Sequence, residues 1–252
     1  MDKELLDYVK QQDVQCGLGW YGLIVPILAG VKYINDNTPE AQCKIARFEE
    51  KMGELEIAVL AGYPGLKDKI TRAKISSKTI CEQCGCVGEL RKRDDGSFKT
   101  LCPECGKHYK RTRRTIPAHD VLDYMEQQLT VHCDGYGWHG LVMPVVAEAM
   151  VHNEKCPDDP CKPVFEEQEG KLHIGPDAHP ACLETIITRA ENASDKMCGW
   201  CGCRGKPQQR NNEGQKTLCL ACGKRERNNE RWEKQKKRMG VYLMELVGCI
   251  II

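Results

Sequence analysis

The sequence predicts an α+β fold of two tandem homologous units, each a small helix/strand body ending in a four-cysteine ribbon. Three observations predict it: blocks that recur at one offset, apolar residues spaced for helices and a strand, and paired cysteines closing each set. Gly19-Trp20-Tyr21-Gly22-Leu23 returns as Gly137-Trp138-His139-Gly140-Leu141, 118 residues later. Phe48-Glu49-Glu50 returns as Phe165-Glu166-Glu167, Ile70-Thr71-Arg72-Ala73 as Ile187-Thr188-Arg189-Ala190, and Lys99-Thr100-Leu101-Cys102 as Lys216-Thr217-Leu218-Cys219, each 117 residues later. Separate blocks in one order at a near-constant offset mark a tandem duplication. A period this long does not fit a solenoid, so two globular units side by side are expected, residues 1–115 and 116–252. The basic stretch 107–114, closed by Pro117, reads as the linker.

Each unit opens on a helix. Leu5, Leu6 and Val9 match Val121, Leu122 and Met125, at the spacing of one helical stripe. A Gly-Trp turn and a second helix follow. Leu55 to Leu60, apolar and partly β-branched after Gly53, suits a strand, and Leu66, Ile70 and Ala73 place a helix over residues 65–76. The second unit is more broken: Gly175, Pro176 and Pro180 stop its strand early. Residues 153–163, with Cys156, Pro157, Pro160 and Cys161, read as a loop. Residues 225–238 mix Glu with Lys and Arg at helical spacing and read as a charged C-terminal helix.

Composition narrows the class. Of 252 residues, 41% are apolar and 29% charged, enough to bury a core. No run approaches the roughly 18 apolar residues of a membrane span. The first residues have no basic segment leading into a long apolar one, so a cytoplasmic protein away from membranes is expected.

Cysteine is the outlier, at 17 residues. Cys81-x2-Cys84-x17-Cys102-x2-Cys105 repeats as Cys198-x2-Cys201-x17-Cys219-x2-Cys222. Two such knuckles across a hairpin-length spacer can set four sulfurs tetrahedrally around one ion. Zn²⁺ takes thiolates at about 2.3 Å and needs no further ligand in a closed site. Two zinc ions are therefore expected, in ribbons at residues 79–108 and 196–225. The odd count and the CxxC pairs argue against a disulfide framework. Paired knuckles argue against a thioredoxin-like dithiol, and their hairpin spacing against an iron–sulfur cluster. Gly85, Gly106, Gly202 and Gly223 follow the second cysteine of each knuckle, where the backbone must turn tightly. Cys86 and Cys203 add a third thiol to each first knuckle. They read as small packed residues, with reactive thiols of a redox sensor or enzyme as the alternative. Cys16, Cys43, Cys133 and Cys161, like Trp20 and Trp138, read as core. A second metal site drawn from those cysteines with His132 or His139 would find no histidine at the matching places of the first unit.

Charge is uneven, although the whole chain sums to +1. Residues 88–115 hold nine Lys/Arg against four Asp/Glu, and residues 203–238 twelve against four, which leaves the other residues at −12. Zinc with four thiolates takes about two charges from each basic region. A basic ribbon suits a phosphate backbone, whose counterions Lys and Arg release. The candidate nucleic-acid or partner contacts are Arg91, Lys92, Arg93, Lys110, Arg111, Arg113, Arg114, Arg204, Lys206, Arg210, Lys224 and Arg225. A solvated surface is the plain alternative. With only Phe98, Tyr109 and Trp232 nearby, base stacking on single strands gains little support.

No nucleophile elbow, phosphate loop or HExxH is present, and residues 87–101 and 204–218 hold no histidine, so a non-enzymatic protein is expected. Cys249-Ile250-Ile251-Ile252 has the form of a prenylation signal behind basic residues and reads equally as part of an amphipathic packing helix.

Three repeated features carry a resemblance. They are Gly19-Trp20, Glu50-Lys51-Met52-Gly53-Glu54-Leu55 and Ser77-Lys78-Thr79-Ile80-Cys81-Glu82-Gln83-Cys84-Gly85, matched by Gly137-Trp138, Glu169-Gly170-Lys171-Leu172 and Cys198 to Gly202. Each unit resembles an uncharacterised family of small bacterial and phage proteins with a Gly-Trp turn, a Glu-Lys-Phe-Gly-Gly-Leu-type strand entry and a terminal Cys-x-x-Cys-Gly ribbon. Met52 and Glu169 stand where that family has an aromatic, and Glu56 and His173 depart from it as well. The resemblance implies a bacterial or phage cytoplasmic setting and no substrate. The expected function is a non-enzymatic, zinc-binding accessory protein that grips a macromolecular partner, nucleic acid or a host protein of nucleic-acid machinery, for example as an inhibitor of a host system. A structural assembly component is a further alternative.

Overall fold

Leu5, Leu6 and Val9 lie on the buried face of helix α1 (Lys3–Lys10), as their spacing requires. The computed structural model describes residues 1–229 except 2, 39, 41, 109–115, 129–130, 134, 176–178 and 211–213, and also residue 231. After α1 come a short strand β1 (Val14–Gln15), a 3₁₀ turn (Leu18–Trp20), helix α2 (Tyr21–Asn37), the hairpin β2 (Lys44–Lys51) and β3 (Glu54–Ala61), and helix α3 (Pro64–Ser77). A second hairpin, β4 (Glu89–Lys92) and β5 (Phe98–Leu101), and the short α4 (Pro103–His108) complete this half. The same order follows in α5 (Ala118–Gln128), β6 (Val131–His132), α6 (His139–Lys155), β7 (Val164–Gln168), β8 (Lys171–Gly175), α7 (Ala181–Ser194), β9 (Lys206–Arg210) and β10 (Gly214–Leu218). A last helix, α8, covers residues 220–229.

Both three-stranded sheets have one topology. β1 runs parallel to β2, which pairs antiparallel with β3; β6, β7 and β8 repeat this arrangement. Phe48 faces Ile57 in the first register and Phe165 faces Ile174 in the second. The hairpin turns explain the strand-entry motif. Met52-Gly53 has φ of 55° and 80°, and Glu169-Gly170 has 49° and 76°. Two successive left-handed residues match the right-handed twist of the flanking strands. The strand at residues 55–60 is thus the second arm of a hairpin, and its partner β2 is an element that the apolar pattern missed. In the second half β8 is five residues long against eight in β3. Helix α6 continues to Lys155, so the loop expected from residue 153 begins later. Asn153 holds that loop: its side-chain amide donates to the Cys161 carbonyl at 2.9 Å and its oxygen accepts from the Cys161 N–H at 2.7 Å. Asn35 clamps Cys43 in the same way. Both cysteines are buried.

The halves share one core. Residues 21–28 of α2 and 139–146 of α6 are buried on every side, which identifies α2 and α6 as the central helices. They pack on each other, as do α1 and α5, and their buried side chains belong to one continuous cluster with those of both sheets. Two bodies lying side by side, as the period suggested, would have kept separate cores. Each fully buried Leu or Ile contributes about 1.5–3 kcal/mol, so much of the stabilisation lies in the seam. Lys10 of α1 spans the same junction and pairs with Glu126 of α5 at 2.7 Å. The joining stretch at 109–115 lies outside the described residues, as do 232–252 with the Cys249 terminus and most of the expected charged helix.

Candidate metal centres

The two hairpins β4–β5 and β9–β10 bring the knuckles together. In each first knuckle the backbone closes on itself: Cys81 N–H donates to the Cys86 carbonyl at 2.7 Å, and Cys198 N–H to that of Cys203 at 2.8 Å. Gly85 and Gly202 then adopt φ of 72° and 68°, a conformation that suits glycine. Gly106 and Gly223 do not share this conformation. A Cβ there would meet the flexible side chains of Arg91 at 3.2 Å or Gln208 at 2.7 Å, so no tight backbone turn accounts for those two glycines.

The sulfurs of Cys81, Cys84, Cys102 and Cys105 lie within 4.8 Å of one another, and so do those of Cys198, Cys201, Cys219 and Cys222. Around a tetrahedral ion with metal–sulfur bonds of about 2.3 Å, the sulfur–sulfur edge is about 3.8 Å. The Cys84–Cys102 and Cys201–Cys219 separations are 3.7 Å and 3.6 Å. Backbone amides face the sulfurs too, Cys105 N–H toward Cys102 at 3.3 Å and Cys222 N–H toward Cys219 at 3.5 Å. The first set is largely buried and the second somewhat less so. Both sets fit a thiolate-bound metal ion with no open position.

Each centre is completed by the opposite half. Arg189 of α7 donates to Cys84 Sγ at 3.1 Å and Cys102 Sγ at 2.8 Å. Reciprocally, Arg72 of α3 reaches Cys219 Sγ at 3.5 Å and Cys201 Sγ at 4.0 Å. Burial lowers the Arg189 pKa, but Cys84, Cys86 and Cys102 more than offset this and the net shift is upward. Arg72 behaves alike beside Cys201, Cys203 and Cys219. The recurring Ile-Thr-Arg-Ala block was the signal for these arginines; without knowledge of the crossover its chemistry could not be read.

The Gly-Trp turn is the joint that makes the crossover possible. Trp20 Nε1 donates to the Ile80 carbonyl at 2.9 Å and Trp138 Nε1 to that of Met197 at 3.1 Å, so each turn rests on its own ribbon. On the other side it meets its counterpart: a Cβ on Gly22 would lie 2.2 Å from the Gly137 carbonyl oxygen, and one on Gly140 2.3 Å from that of Gly19. Pro26 has no N–H to give the Gly22 carbonyl four residues back, and Pro144 none for Gly140. Those two freed carbonyls face the α carbons of Gly202 and Gly85, each in the other half's ribbon.

Cys86 and Cys203 sit in this seam. Cys86 is half-buried and directs its thiol to the Arg189 carbonyl at 3.6 Å; Cys203 is buried. Cys16 and Cys133 are half-buried against the core. His139 is buried with Nδ1 3.0 Å from the Tyr136 carbonyl, and burial, with the nearby amino terminus, lowers its pKa to about 4. Among the described residues only the two cysteine quartets have metal-binding geometry.

The candidate partner contacts separate by half. In the first ribbon Arg91 pairs with Glu89 and Arg93 with Asp95. Lys99, part of the same basic count, is held by Glu50 and by the buried Glu82. Lys92 is exposed. Lys110, Arg111, Arg113 and Arg114 lie outside the described residues, as does the side chain of Arg210. Arg204, Lys206, Lys224 and Arg225 are exposed, and none forms an ion pair among the described residues. No helix among the described residues is long and apolar enough to cross a membrane. No family model, curated protein or solved structure matches the chain.

Proposed function

We propose that this chain is a zinc-binding, non-enzymatic accessory protein of bacterial or phage type, arisen by tandem duplication, whose second ribbon binds nucleic acid. The observation that carries the reading is the contrast between the halves. Arginines of the first ribbon are tied to neighbouring carboxylates, whereas Arg204, Lys206, Lys224 and Arg225 stand exposed without such partners among the described residues. Unpaired cations on the hairpin and on the helix α8 that follows it can exchange their counterions for phosphates. Zinc, when bound, cross-links the two knuckles and so fixes the hairpin and the start of α8 that carry these cations. Every other part of the interface is supplied by the chain itself.

The test is a gel shift with single- and double-stranded DNA and RNA across a salt series. Binding that weakens steeply with salt, and weakens further in Arg204→Glu/Lys206→Glu, is expected. Absent binding, or affinity indifferent to salt, refutes the nucleic-acid reading. A lysate pull-down that captures the same protein with and without nuclease would then assign the surface to a protein of the host machinery.

A further inference from the structure

Two clefts flank the seam, one beside each cysteine quartet, and they occupy corresponding places. The first encloses about 790 Å³ and the second about 450 Å³. Pro144, Ala147, Arg189 and Cys84 line the first, while Pro26, Ala29, Arg72 and Cys201 line the second; these residues correspond at the 117–118 offset. The same frame has therefore been furnished twice, and the furnishings differ.

Where the first cleft has Gln83, Leu18 and Val151, the second has Trp200, Tyr136 and Tyr33 at the matching positions. Where the first has Ile186 and Glu148, the second has Lys69 and Gly30. Arg225 adds a further cation to the second cleft. Trp200 is 44% and Tyr33 69% exposed, so both rings are open to a ligand. Tyr136 is braced edge-on against the buried His139, with ring centroids 5.7 Å apart.

More cations gather at the second quartet than are described at the first. The first quartet carries the same four thiols, and among the described residues Arg189 is the cation that contacts it; Lys10, which also lines that cleft, is ion-paired to Asp123 and Glu126. The second has Arg72 in that role, and Lys69 and Arg225 beyond it. Burial lowers the Lys69 pKa and the facing Arg225 and Arg72 lower it further; Cys222 and Cys201 offset this only in part. Lys69 and Arg225 have no carboxylate partner among the described residues, although Glu226 also borders the cleft. Cations held this close favour a ligand that brings negative charge, and open aromatic faces beside them favour a flat ring.

We propose that the second cleft is a nucleotide site, in which Lys69 and Arg225 take the phosphate and Trp200, with Tyr33, stacks the base. The ligand chemistry is a base joined to a phosphate, whether a free nucleotide or one unit of a single strand. The second source would deepen the nucleic-acid reading above, and the first stands apart from it. The first cleft sets Glu148 and Glu104 beside Arg189 and the ion-paired Lys10 and has no tryptophan at the matching place, so weaker binding of the same ligand is expected there.

Calorimetric titration of the zinc-loaded full chain with thymidine monophosphate, and fluorescence polarisation with labelled oligothymidylate, test the proposal. Trp200→Ala is expected to weaken binding at least about tenfold, the scale of one lost base stack, and Lys69→Glu/Arg225→Glu to abolish it. Metal stoichiometry from native mass spectrometry should stay at that of the unaltered chain. Installing the second set in the first cleft, Gln83→Trp/Ile186→Lys/Glu148→Gly, should add a second binding equivalent. Monophosphate binding identifies the free ligand as one source; binding of the oligomer alone identifies the strand. If neither probe binds, or if both bind equally well to the cleft variants with metal retained, the proposal is overturned. Oligomer affinity lost in Arg204→Glu/Lys206→Glu but kept in the cleft variants overturns the cleft while leaving the ribbon reading intact. Monophosphate bound in the cleft with no polymer affinity does the reverse.

Discussion

Replacing Arg189 with Met keeps much of the side-chain volume and removes the guanidinium from the first cysteine quartet. Its two N–H···S contacts, at 2.8 Å and 3.1 Å, are charge-assisted. Such bonds are worth about 1.5–3 kcal/mol each in protected settings. Arg189 is partly open to solvent, so the pair is discounted to about 2–4 kcal/mol in all. Removing a residue that orients ligands typically lowers metal affinity by about 10–100-fold, or about 1.4–2.8 kcal/mol, which overlaps the lower part of that range. The location of the loss is the sharper prediction. The residue belongs to the second half, yet Cys81, Cys84, Cys102 and Cys105 should lose protection, while Cys198, Cys201, Cys219 and Cys222 keep theirs. Alkylation under graded chelator, mapped by peptide mass spectrometry, reads each quartet separately. Arg72→Met should show the mirrored pattern more weakly, because its contacts are 3.5 Å and 4.0 Å. Equal labelling of both quartets, or labelling of the half that carries the substitution, would refute the crossover.

Two further outcomes follow from buried groups. Gly22→Ala and Gly140→Ala should each destabilise the chain by about 1–3 kcal/mol or more, since the added methyl would lie 2.2 Å and 2.3 Å from a backbone carbonyl oxygen of the other half. Gly175→Ala, with no described residue within 4 Å of its Cβ, serves as the control and should change stability by under about 0.5 kcal/mol; denaturant melts that rank the three alike would contradict the packing described. His139, held near pKa 4 in the fold against an ordinary 6.5, contributes stability that is complete above pH 6.5 and is lost as pH falls toward 4, because the unfolded chain binds the proton first. By pH 5 the loss is about 2 kcal/mol relative to His139→Phe; parallel pH profiles for the two proteins would show that this imidazole does not remain neutral.

The cysteine quartets were legible because metal coordination imposes a spacing that survives any tertiary arrangement. Helices α1, α3 and α5 were legible because one face of each is wet, so their apolar residues fall at helical intervals. The central segments 21–28 and 139–146 show no such stripe, being buried all round; their repetition was visible and their position at the centre was not. β2 was missed because Arg47, Glu49 and Glu50 face outward or sideways along it, leaving Ile45 and Phe48 as its buried anchors. The reach of Arg72 and Arg189 into opposite halves is a property of how the halves dock, and no local pattern encodes it. The aromatic lining of the second cleft escaped for the same reason. Tyr33, Tyr136 and Trp200 are scattered in sequence, and only the fold gathers them.

The exchange of arginines also bears on how such a protein can assemble. Were the halves made as separate polypeptides, neither could bring a guanidinium to its own sulfur cage before finding a mate, and the yield would hang on how much of each was present. Tethering turns that search into an encounter within one molecule, at an effective concentration fixed by the connecting stretch rather than by expression level. It also leaves the halves free to drift apart in surface character, because each is guaranteed a mate that is not its copy.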